Sequence, residues 1–429
     1  MSANFPRMFT IRQNLPHSAP FDIPANVQNQ LAQKLTARIM PGARIAVTVG
    51  SRGISNLQQI VSVVVNWLKQ RGAMPFIVPA MGSHGGATPE GQADVLADYG
   101  ITEEKIGAPV RASLEVKHLG STDDGVDVYF SSEALSADGI LLINRIKPHT
   151  DFSGSIGSGI LKMIAIGLGK RMGAGACHTA FTLRGHEQVI RKVAGVSLRR
   201  TPILGAVAIL EDQFHETANV VTLGKEEIEV QEEQLFAQAR RLMPRLPIDD
   251  IDFLIIDRMG KNISGSGMDP NIIGRSVYGY TSQGPSVNSL SPVKIKRIFV
   301  RDLTAESHGN AVGIGLADLT TSRLVRAMNP QATYVNALTS MAPLIAKIPI
   351  YFETDSEAIT GGLASLGISD ASAARVVRIA DTLSLELLQV AESYSGQLAE
   401  KGDLTVLDKP QEMKFDPHEN LLPFAGDSR

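Results

Sequence analysis

Three times in the first third of the chain, an apolar run of strand length stops at a polar, glycine-bearing turn. Arg44-Ile-Ala-Val-Thr-Val runs into Gly50-Ser-Arg-Gly53, Pro75-Phe-Ile-Val-Pro into Met81-Gly-Ser-His-Gly-Gly86, and Asp138-Gly-Ile-Leu-Leu-Ile into Asn144 and a long glycine-rich stretch. Helical spacing separates the runs. Residues 26–39 carry Val27, Leu31, Leu35 and Ile39, and 56–71 carry Ile60, Val63, Val64, Trp67 and Leu68 on one face before Gly72. Thr88-Pro89-Glu90 opens a third helix, with Thr as the cap, Pro in the first turn and an acid beside the exposed amides. Apolar runs bounded by turns and alternating with helices predict a parallel sheet with crossover helices.

The rhythm resumes after Pro244-Arg-Leu-Pro-Ile-Asp-Asp250, the best linker candidate, with strand 251–257 and a second glycine-rich turn at 259–267. Beyond it, 297–301, 349–352 and 375–379 read as strands and 315–328 and 356–366 as helices. A chain of 429 residues exceeds what one core normally serves. The expected fold is therefore α/β, with two α/β domains, mainly parallel sheets and an active-site cleft between them. The first domain takes residues 1–247, the second 248–400, and the tail 401–429 packs back. Residues 1–25 read as an extended arm, 101–135 as short, partly antiparallel strands, and 182–193 as a helix.

Composition narrows the function classes. A net charge of −3 and a pI near 6.3 argue against a nucleic-acid footprint, and one Trp with 7 Tyr leaves little for base stacking. No run of 18 apolar residues predicts a membrane span, and the N-terminus lacks the pattern of a signal peptide. A single cysteine, Cys177, makes no internal disulfide and fits a cytoplasmic setting. Its expected role is that of a small buried hydrophobe.

In a parallel sheet the C-terminal strand ends share one edge, where ligands bind. That brings the turns bearing Ser51 and Arg52, His84 and His149 together. Two histidines at one site suit two-sided acid–base chemistry, and an arginine suits a carboxylate or phosphate. A lone His in a glycine turn more often serves the backbone; two at matching strand ends favour function. His178 reads as a packing residue, a metal ligand or a cap, with packing foremost. The other histidines have no such context. Gly154-Ser-Ile-Gly157 and Gly157-Ser-Gly159 form a loose glycine run without the dinucleotide fingerprint.

The order Gly82-Ser-His84, Lys147-Pro-His149, then Lys162 and, 16 residues on, His178 resembles the nickel-dependent lactate racemase family. The resemblance implies a racemase or epimerase of 2-hydroxy acids using a nickel-pincer nucleotide tethered to Lys162. His178 would be the metal ligand and His84 and His149 the opposed acid–base pair. Arg52 would bind anionic groups, with Ser51, Gly157 and Gly159 beside the nucleotide. Lys261 and Asn262, in the second domain's turn, would hold substrate across the cleft. Cofactor-synthesis enzymes are the implied partners, and a homo-oligomer is compatible. Two departures bear on the substrate. Val49 stands where the family has an acid, and the loop 153–161 is longer than the family's compact motif. Both suggest a different 2-hydroxy acid, such as a sugar acid. The alternatives are a nicotinamide-dependent hydroxy-acid oxidoreductase and a non-catalytic nucleotide- or anion-binding protein.

Overall fold

The computed structural model describes residues 5–51, 53–150, 152–277, 293–399 and 401–424. The chain forms two compact units, one of residues 17–149 and 153–243 and one of 1–16, 150–152 and 244–429. No helix among the described residues is long and apolar enough to cross a membrane.

In chain order the elements are β1 (Met8–Gln13), α1 (Ile23–Leu35), β2 (Arg44–Val49), α2 (Leu57–Gln70), β3 (Met74–Pro79), α3 (Pro89–Asp98), α4 (Glu103–Ile106), β4 (Val116–Ser121), β5 (Asp127–Ser131), α5 (Ser132–Leu135) and β6 (Gly139–Arg145). The short turn α6 (Ile160–Lys162), a π-helical turn (Met163–Gly167), α7 (Lys170–Arg184), α8 (His186–Arg200), β7 (Ile203–Glu211), β8 (Thr217–Gly224) and α9 (Ile228–Leu242) follow. The N-terminal unit is built on the sheet β3-β2-β6-β7-β8. Its first four strands are parallel and β8 is antiparallel. β4 and β5 form a separate antiparallel hairpin.

The two faces of β2 show why the apolar run has to be a strand. Ile45, Val47 and Val49 join the core made with Leu31 and Leu35 of α1 and Val64, Trp67 and Leu68 of α2. The alternate residue Thr48 faces the other way and donates its hydroxyl to the Met163 sulfur at 3.3 Å. Both faces are covered, so the strand reads as continuous apolar sequence. Thr88 caps α3 by accepting from the Gly91 amide at 3.0 Å, as its position predicts.

The C-terminal unit holds β9 (Asp250–Met259), β10 (Lys294–Leu303), β11 (Leu319–Thr321), β12 (Ile350–Phe352), β13 (Val376–Ile379), β14 (Leu387–Ala391) and β15 (Leu404–Val406). Its eight-stranded sheet runs β12-β11-β10-β9-β13-β14-β1-β15. The first five strands are parallel and the last three pair antiparallel. The fold is thus α/β with mainly parallel sheets.

Three segments differ from their sequence reading. The N-terminal arm contains β1, which pairs with β14 and β15 and belongs to the C-terminal unit. The helix expected over 182–193 is cut at Gly185, whose φ of 79° ends α7 and lets α8 start anew. The helix expected over 315–328 gives its centre to β11, because Leu319–Thr321 fills the gap between β10 and β12; the helix that follows covers only Ser322–Ala327.

Candidate active site

The C-terminal ends of β3, β2 and β6 lie level, with Val49 paired to Pro79 on one side and Ile143 on the other. The turns leaving these ends carry the residues of interest. Ser51 Oγ and His84 Nδ1 are hydrogen-bonded across the β2 and β3 turns. The Tyr99 hydroxyl donates to the Ser51 carbonyl at 3.1 Å and steadies that turn from behind. Arg52, between them in sequence, lies outside the described residues.

The β6 turn is folded back on the glycine run. Lys147 and Ser158 exchange backbone hydrogen bonds of 2.9 and 2.8 Å, and Asn144 donates its side-chain amide to the Gly159 carbonyl at 2.8 Å. This clasp brings residues 13 apart in sequence side by side: Lys162 Nζ lies 2.5 Å from His149 Nε2. At that distance one nitrogen donates and the other accepts, so the pair does not carry a full charge on both partners. Both side chains are half-buried, so the pair is reachable from solvent.

Gly157 and Gly159 are glycines because protein, not open space, fills the place of a side chain. A Cβ on Gly157 would stand 2.5 Å from the Lys147 carbonyl oxygen and 2.6 Å from the Phe236 ring. One on Gly159 would strike Glu232 Oε1. The loop 153–161 is held further by Glu187, which accepts from the Ser155 amide at 2.9 Å and its hydroxyl at 2.5 Å.

Lys162 ends the short turn α6 and runs directly into the π-helical turn Met163–Gly167, whose signature bond is Leu168 N–H to the Met163 carbonyl at 2.8 Å. Such single π turns recur at functional positions. His178 stands on α7, half-buried, with its ring edge on Phe181 at 5.3 Å. Its neighbour Cys177 is fully buried, and burial pushes the thiol up to about 12, so it serves as a packing residue. Lys261 and Asn262 belong to the C-terminal unit, in the turn after β9. There Lys261 Nζ donates to the Gly265 carbonyl at 2.7 Å and Asn336 Oδ1 at 2.8 Å, while Asn262 accepts from the Thr304 hydroxyl at 2.7 Å.

The structure thus gathers Ser51 with His84 and His149 with Lys162. Among the described residues, no three His, Cys, Asp or Glu side chains converge as a metal site.

One residue beside the site is not legible in the sequence. Glu232, on the charged helix α9, is fully buried and accepts from the Leu161 amide at 2.8 Å. Its Oε1 has no hydrogen-bond partner. Burial pushes its carboxyl up to about 8, although the amides of Leu161 and Ile160 and the charge of Arg191 pull the other way. Its only sequence signal is an acid at an apolar helical spacing, four residues after Ile228 and four before Phe236.

Residues 22–189 match the family model described as the lactate racemase N-terminal domain. No curated protein sequence matches the chain. Among solved structures, the lactate racemase apoprotein of Thermoanaerobacterium thermosaccharolyticum is similar with a TM-score of 0.53 at 14% identity, over 88% of this chain and 99% of that one. A Thermotoga maritima protein is similar with a TM-score of 0.50 at 13% identity, over 77% of this chain and 84% of the other. At these identities the structures speak for the fold alone, and the segment matched by the family model contains His84, His149, Lys162 and His178. Residues 22–189 are thus similar to the lactate racemase N-terminal domain, within a chain whose fold is similar to that of a lactate racemase apoprotein.

Proposed function

We propose that the protein is an isomerase that inverts C2 of a 2-hydroxy acid, either lactate-like or a larger sugar acid such as an aldonate. Its cofactor would be a nickel-pincer nucleotide anchored on Lys162. The carrying observation is the 2.5 Å pairing of Lys162 Nζ with His149 Nε2. His149 Nε2 is placed to take a proton from Lys162; the neutral amine would then be the nucleophile that displaces a leaving group from an acyl carbon of the cofactor. An acyl link on Lys162 would carry no charge and would leave His149 Nε2 to exchange a proton with a bound substrate.

The residues present fit such a group. It brings its own metal donors and asks the protein for an amine anchor and one imidazole, which Lys162 and His178 supply on neighbouring segments. Nickel accepts an imidazole beside soft donors. When bound, this cofactor supplies an acceptor for the C2 hydrogen as hydride, the step that side chains alone do poorly.

The protein's share is proton traffic and positioning. His84 has Nδ1 engaged by Ser51, so Nε2 is the atom that exchanges a proton. β3 and β6 flank β2, so the turns bearing His84 and His149 are two strand spacings, roughly 10 Å, apart. A small hydroxy acid fits between groups so spaced. One histidine takes the hydroxyl proton as C2 loses its hydrogen, and the other returns a proton once the hydrogen comes back on the opposite face. Arg52 joins the proposal as the carboxylate-binding group.

The test is the intact mass of protein produced together with cofactor-synthesis enzymes, followed by assay of C2 exchange across lactate and sugar acids. An adduct on Lys162 and loss of turnover in Lys162→Ala are expected. His84→Ala and His149→Ala should each lower turnover about 10²–10⁴-fold with substrate binding retained. Turnover by protein whose Lys162 is unmodified would sink the tethered mechanism.

A further inference from the structure

The turn that presents His84 is gripped from inside the protein by two polar residues that have no place in the chemistry above. Lys170, the first residue of α7, is fully buried and takes a left-handed φ of 53°, a conformation that costs a non-glycine residue energy. Its ammonium donates to the Pro79 carbonyl, the last of β3, at 2.5 Å and to Gln92 Oε1 at 3.0 Å. No carboxylate among the described residues pairs with it. Burial pulls its pKa down to about 8, as expected of a charge held only by neutral dipoles.

Gln92, on α3, is fully buried as well. Its oxygen takes the Lys170 proton, and its nitrogen donates to the carbonyls of Gly82 at 2.9 Å and His84 at 3.3 Å. The Gly82 amide donates in turn to the Gly167 carbonyl at 3.0 Å, the last residue of the π turn that begins beside Lys162. Lys170 follows that turn by three residues. One connected set of hydrogen bonds therefore runs from the Lys162 segment through Lys170 and Gln92 to the backbone of His84. A core residue that only filled space would need neither a buried, unpaired charge nor a strained backbone.

We propose that Lys170 and Gln92 are positioning residues, a buried strut that fixes the His84 turn against the segment carrying Lys162 and so sets the reach and hydrogen bonding of the His84 imidazole. The proposal rests on the reading of His84 as an acid–base group. It acts through backbone carbonyls; neither residue is required to touch substrate.

The test is read first in the chain without cofactor. Protein labelled with ¹⁵N-histidine reports the tautomer and hydrogen bonding of each ring, and His84→Gln assigns the His84 signals. Lys170→Met removes the donor. Gln92→Glu keeps an acceptor for Lys170, and adds charge to hold it, but loses the donor to Gly82 and His84. Both variants should displace the His84 ring signals while leaving those of His178 in place. In loaded protein, kcat should fall about tenfold or more with KM little changed, since misplacement by a fraction of an ångström slows a positioned group. Gln92→Asn, which keeps both chemistries on a shorter stem, should recover part of that loss.

His84 signals superimposable on wild type in a folded Gln92→Glu variant would overturn the proposal, and so would equal displacement of all the histidines. If Lys170→Met fails to fold, Gln92→Glu alone decides. The underlying function fails differently: His84→Ala would then leave turnover intact, whatever the ring signals of the strut variants do.

Discussion

Glu232 is the residue whose chemistry departs furthest from its sequence appearance. It looks like one more acid on a charged helix, yet it lies in the core with one oxygen capping the turn before Lys162 and the other unpartnered. Its raised pKa fixes the sign of a stability effect. The folded state holds the proton more tightly than the unfolded chain does. The contribution is therefore fully present below the ordinary carboxyl value of 4.5 and is lost as pH rises toward about 8. Glu232→Gln keeps an acceptor for the Leu161 amide without the charge. It should flatten the fall in stability between those values and gain a few kcal/mol over wild type at alkaline pH, the order that a shift of this size implies. Urea unfolding at a series of pH values measures it. Parallel pH profiles for the two proteins would refute the assignment of a buried, protonated carboxyl.

At the scale of elements, the strands 44–49, 75–79 and 139–144 were legible because each is apolar on both faces, and α3 because Thr88 and Pro89 state its start. α7 was not legible. Its Lys-Arg-Met-Gly-Ala-Gly-Ala-Cys run carries two interior glycines that read as a turn, and it is held as a helix by burial of Ala174, Cys177 and Phe181. β11 is three residues long and exists only because β10 and β12 flank it. Lys170, Gln92 and Glu232 escaped because their meaning arises from partners 71 to 91 residues away in sequence. The positions of His84 and His149 were readable in the opposite way, each in a turn that follows a strand. The glycine run that follows His149 carries its own prediction. Gly157→Ala drives a methyl into the Lys147 carbonyl and Phe236 and should cost about 1–3 kcal/mol in cofactor-free protein, as overpacking does. Thermal unfolding of the apoprotein checks it. Stability within about 0.5 kcal/mol of wild type would mean instead that the glycine serves only a bound ligand.

At the scale of the whole molecule, the chain starts in one unit and then builds the other before returning. β1 is an interior strand of the C-terminal sheet, with Met8 paired to Ala391 and Ile11 to Leu388 on one side and Val406 on the other. Phe9 and Ile11 are buried in that unit's core. Thr10 donates its amide and hydroxyl to Asp408 at 2.7 and 2.9 Å, and Met8 and Gln411 exchange backbone bonds of 2.8 Å. Among the described residues, β15 pairs with no strand of the sheet but β1. Deleting residues 1–14 therefore removes a strand and strands another. The buried side chains of Met8, Phe9 and Ile11 alone are worth roughly 1.5–3 kcal/mol each. The consequence belongs to the unit that β1 completes, not to the unit it precedes in sequence. Hydrogen exchange should show the amides of β14 and of residues 404–411 losing protection in the truncated protein, while those of β2 and β6 keep theirs. Loss of protection in β2 and β6 with β14 unchanged would assign the first strand's stabilising role to the wrong unit and overturn this account of how the chain is divided.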